Sequence, residues 1–123
     1  MKKTFISMVG VTLLACGCGA SFPAPTQKLA DAESANRAAR ELGAEKKTAA
    51  QLSLKLADEE IAAAKVQMKE GDNKRADFIL LRAKADAELA LALARETDVK
   101  LETNKAVETS TDKQNAKANG ADK

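Results

Sequence analysis

At 123 residues the chain has room for one small domain, and with no His, no Trp and no Tyr it lacks the commonest general base, the commonest transition-metal ligand and most base-stacking surface. Ala supplies about a fifth of the residues, a usage that belongs to long helices rather than sheets. Removing Lys2 and Lys3 with the leader described below leaves 18 basic against 18 acidic side chains, so no strongly basic surface for nucleic acid or anionic lipid is expected.

Lys2 and Lys3 precede an apolar run from Phe5 to Ala15 that ends in Leu13-Leu14-Ala15-Cys16. A short apolar run behind two lysines reads as a secretory signal, residues 1–15, and is too short to serve as a spanning helix. Leu13-Leu14-Ala15-Cys16 resembles the lipobox of bacterial lipoproteins: an apolar branched residue at minus three, a small residue at minus one, then the cysteine. The resemblance implies cleavage before Cys16, a diacylglyceryl group on its sulfur and an acylated new amino terminus. Two or three acyl chains hold a chain at a bilayer far longer than one, since each buried methylene adds about 0.8 kcal/mol. Cys18 is the competing attachment site, but its minus-three residue is Ala15, a poorer match than Leu13. If Cys16 is acylated, Cys18 is an odd thiol in an oxidising compartment, open to modification or cross-linking. Gly17 stands where an Asp commonly retains lipoproteins in the inner membrane, so the outer membrane, facing the periplasm, is the expected location.

Residues 16–25, with Pro23 and Pro25, read as a lipidated spacer. An alanine-rich helical domain is expected over residues 26–102. Thr26 has the chemistry of an N-cap, and Leu29, Ala32, Ala35, Ala39 and Leu42 recur at steps of three or four, predicting a first helix that Gly43 closes. Thr48-Ala49-Ala50-Gln51 has the form of a capping box and starts a second helix. Its seam runs Ala50, Leu54, Ala57, Ile61, Ala64, Met68, and Gly71-Asp72 stops it and caps the next. A link so short predicts antiparallel neighbours.

The third helix begins near Asn73 with the seam Ala76, Leu80, Ala83, Ala87, Ala90, Ala94. Arg82 with Asp86, Lys84 with Glu88 and Glu96 with Lys100 are placed for pairs one turn apart. Phe78, Leu81, Leu89 and Leu93 fall off that seam, which gives the helix a second apolar stripe. Either both stripes are buried in a three-helix bundle or the second meets another molecule. Residues 103–123 are polar and read as a disordered tail or frayed helix end. The predicted fold is all-α: an antiparallel helical hairpin or small three-helix bundle, coiled-coil-like, with that tail.

Leu29-Ala30-Asp31-Ala32-Glu33, Leu42-Gly43-Ala44, Ala50-Gln51-Leu52, Leu56-Ala57, Glu70-Gly71-Asp72 and the run Ala83 to Ala90 occur in this order. From Leu29 to Arg95 the chain resembles a family of proteobacterial lipoproteins whose helical region is a domain of unknown function, loosely similar to tetratricopeptide-type hairpins. That resemblance implies an envelope location and no catalytic residues. Some members carry a peptidoglycan-binding domain downstream, whereas here only a short polar stretch follows the helices.

The expected function is a lipid-anchored interaction or scaffold module, its partners being membrane lipid through Cys16 and either another envelope protein or a second copy through the third helix. The alternative is a cell-wall tether similar to small murein lipoproteins, attached through Lys123, for which muramidase digestion would yield Lys123 peptides bearing wall fragments. An enzyme is not expected, nor a cofactor, a metal or a small-molecule substrate. The densest carboxylate run, Asp58-Glu59-Glu60, points its members about 100° apart on a helix, which is no acid/base pair.

Overall fold

The computed structural model describes the backbone of residues 22–120 and the side chains through residue 117. Three helices make up the chain there: α1 (Thr26–Glu41), α2 (Thr48–Glu70) and α3 (Asn73–Gly120), with a short 3₁₀ turn, Ala44–Lys46, between the first two. Side-chain contacts between the helices fix their directions. Glu33 reaches Lys65 and Asn36 reaches Asp58, so α1 and α2 run antiparallel. Lys28 meets Asp77, and Ala39 shares a core with Ala90 and Ala94, so α1 and α3 run parallel. The result is an up-down-up three-helix bundle in which α3 packs against both of the others.

The helix ends follow local chemistry in part. Gly43 and Gly71 take left-handed φ of 72° and 82°. At the second, the Gly71 amide donates to the Met68 carbonyl and the Asp72 amide to that of Gln67, the paired bonds of a Schellman stop. Asp72 Oδ1 then accepts from the Arg75 amide and opens α3. Thr26, by contrast, is the first helical residue and caps nothing; Pro25 holds the cap position and its carbonyl accepts from the Leu29 amide. Thr48 does not form its expected box either. Lys47 occupies the cap position, and Gln51 Nε2 instead donates to the Glu45 carbonyl of the 3₁₀ turn at 2.8 Å.

The seams pack as their spacing predicts. Ala50, Leu54, Ala57, Ile61 and Ala64 of α2 are buried, as are Ala76, Leu80, Ala83, Ala87, Ala90 and Ala94 of α3. Two clusters result: a lower one around Leu80, Ile61 and Ala32 with Leu29 and Met68 beside it, and an upper one around Leu54, Ala39 and Ala94 with Leu42. Methyl-sized side chains at nearly every facing position let the helix backbones lie close together, so dispersion over many short contacts replaces the burial of large side chains.

Past Asp98 no described residue packs on α3, and every residue from Val99 to Lys117 is exposed. The helix itself continues to Gly120. Thr103, Thr109 and Thr111 turn their hydroxyls back onto carbonyls four residues earlier.

Candidate functional site

Cys16, Cys18 and Lys123 lie outside the described residues. No group of three His, Cys, Asp or Glu among the described residues is placed to hold a metal ion. The three consecutive carboxylates point to three different cations. Asp58 takes the Asn36 amide at 3.0 Å and Arg40, Glu59 lies 3.7 Å from Lys55, and Glu60 accepts from Arg82 Nε at 2.8 Å. That last contact replaces the expected Arg82 to Asp86 pair, because antiparallel packing puts Glu60 within reach of the guanidinium. The other two expected pairs form, Lys84 with Glu88 at 3.8 Å and Lys100 with Glu96 at 2.6 Å.

One polar residue with a long reach was not evident from spacing. Lys47, only 15% exposed, donates to the Leu42 carbonyl at 2.7 Å, the Ala94 carbonyl at 3.0 Å and Asp98 at 2.6 Å. It ties the turn after α1 to the upper part of α3. Nothing in its neighbours along the chain announces this, since Ala94 and Asp98 lie about fifty positions away.

The second apolar stripe of α3 divides. Leu93 is half-buried beside the upper cluster, whereas Phe78, Leu81 and Leu89 are 60%, 50% and 48% exposed. At about 100° per residue, these three, together with Ala92, lie within roughly 40° of the direction of Ala85. Ala85 and Ala92 are exposed as well. The buried seam lies on the opposite side of the helix, so this stripe faces straight out of the bundle. One edge of the stripe borders α2, where Arg82 meets Glu60. The other borders α1 across a shallow open groove of about 390 Å³, which Asp31, Ser34, Lys84, Glu88 and Leu91 help to line. Leu52 and Leu56 on α2 are also exposed, at 66% and 38%. A face with apolar side chains at its middle, small residues among them and charges at its rim has the makings of a protein contact.

No helix among the described residues is long and apolar enough to cross a membrane. Residues 27–106 match the model of a domain of unknown function, DUF4398, and the chain belongs to that family. Neither the curated proteins nor the solved structures contain a match to the chain.

Proposed function

We propose that this member of the family is a lipid-anchored helical module of the bacterial envelope, held by acyl chains at Cys16 on the periplasmic face of the outer membrane and acting by protein contact. The contact half of the reading is carried by the outward stripe of α3. Packing of all three helices leaves Phe78, Leu81 and Leu89 in solvent, although the same helix buries six seam residues completely or nearly so. Apolar side chains aligned along about 16 Å of one rigid helix cost solubility, and their use as a docking face is the physical reason to retain them. The anchoring half is supported by Leu13-Leu14-Ala15-Cys16 behind the basic apolar leader.

Two measurements test the halves separately. Cys16→Ser in the full chain should abolish trimming of the leader and acyl labelling; a variant still trimmed and still fractionating with membranes refutes the anchor. In-cell crosslinking from positions 81 and 89 should trap protein, while crosslinking from the buried position 83 should not. Equal yields from both faces would remove the contact role.

A further inference from the structure

We propose that the outward stripe of α3 pairs with the same stripe of a second copy of this chain, antiparallel, about a two-fold axis passing beside Ala85. This rests on the contact reading above and names the partner.

Three observations lead to it. The first is symmetry of size and polarity: in an antiparallel pair the position n residues before Ala85 faces the position n residues after it. Leu81 then meets Leu89, and the Phe78 ring projects over Ala92, a large side chain against a small one in both halves of the interface. Ala85 meets its own copy on the axis, where a methyl group lets two helices approach to about 8 Å.

The second is charge, which decides the direction of the pair. Arg82 and Asp86 flank the stripe on the α2 side, Lys84 and Glu88 on the α1 side, so each edge carries a cation followed by an anion. An antiparallel two-fold lays each edge against its own reversed copy, so Arg82 comes within two residues, about 3 Å along the axis, of Asp86 on the α2 flank, and Lys84 of Glu88 on the α1 flank. The two attractive contacts on each flank outnumber the single like-charge approach across the axis. A parallel pair lays one edge unreversed against the other. Arg82 would then lie about 3 Å along the axis from Lys84 and Asp86 the same from Glu88, two repulsive contacts on each flank against the one attractive contact of Asp86 with Lys84, and Phe78 would stack on its own copy while Ala92 faced a gap.

The third is the state of these charges within one chain. Asp86 makes no ion pair among the described residues, and Lys84 is held only loosely, 3.8 Å from Glu88 and 3.9 Å from Asp31. Arg82 contacts Glu60 while its side chain stays 72% exposed, which leaves guanidinium donors for an acceptor on another molecule.

The test uses the full chain in the cells that process it. A benzoylphenylalanine placed at Leu81 should give a covalent dimer on irradiation, with the attachment mapped to Leu89 or its neighbours through Ala92 of the second copy. The double variant D86K with E88K makes both edges wholly basic and should lower the yield at least tenfold; R82E with K84E should do the same. Producing the two doubles together should restore the dimer to within about twofold, with circular dichroism of each purified variant showing unchanged helix content. Attachment near positions 78 to 82 of the second copy overturns the antiparallel register. A product containing only a different protein overturns self-pairing and leaves the contact module standing. No product of any kind, with a monomeric full chain in detergent, overturns both.

Discussion

Lys47 sits where the end of α1, the start of α2 and the upper part of α3 come together, and its ammonium group meets three acceptors there. Removing that group leaves the Leu42 carbonyl at the end of α1 without its side-chain donor beside a largely buried stem, while Asp98, 46% exposed, keeps access to water. Lys47→Met, which keeps the alkyl stem, should cost about 1 to 3 kcal/mol in urea unfolding. Lys100→Met removes an ion pair of the same 2.6 Å length, but one whose partners are 70% and 55% exposed, and should change the unfolding free energy by less than about 0.5 kcal/mol. Gly71 supplies a different kind of constraint. A Cβ there would meet no atom within 4 Å, so only the left-handed φ of 82° opposes a side chain. Gly71→Ala is expected to lose about 1 to 2 kcal/mol, and Gly71→Asn less, since Asn tolerates that conformation. Equal losses for Ala and Asn would mean that crowding, rather than backbone strain, sets the penalty.

At the scale of the element, α3 carries two surfaces whose roles are separated by rotation alone. Ala85 and Ala87 are the same residue two positions apart, yet Ala87 is fully buried in the seam and Ala85 is exposed at the centre of the outward stripe. Ala87→Leu forces the neighbouring helices apart and should destabilise by about 1 to 3 kcal/mol. Ala85→Leu should leave the stability of a single copy within about 0.5 kcal/mol, measured by thermal unfolding at low concentration. The steps of four and three in the sequence place both residues on their faces, because helical rotation is a local property. Capping was less legible. Thr26 and Thr48 have the right side chains for N-caps, but each is already the first helical residue, with Pro25 and Lys47 in the cap positions.

For the whole molecule, the 48 residues of α3 span about 72 Å at 1.5 Å each, and only its first half lies against α1 and α2. The rest is a single helix without tertiary contacts to the other described residues, a state that is marginal in water. Amide hydrogen exchange should therefore separate the halves: protection near the global unfolding limit at Ala83, Ala87 and Ala90, and protection factors under about 100 from Val99 to Lys117. Uniform protection along α3 would show that something else covers its second half. The sequence by itself determined the helical class, the two seams, the glycine stops and the antiparallel turn at Gly71, since each depends on rotation per residue and on conformations that neighbouring residues fix. Only the tertiary structure decided that α1 runs parallel to α3, that Arg82 turns to Glu60, that Lys47 bridges to Ala94 and Asp98, and that Phe78, Leu81 and Leu89 are left in solvent. Those outcomes depend on which groups distant along the chain arrive within a few ångströms, and periodicity within one helix carries no information about what its neighbour places opposite.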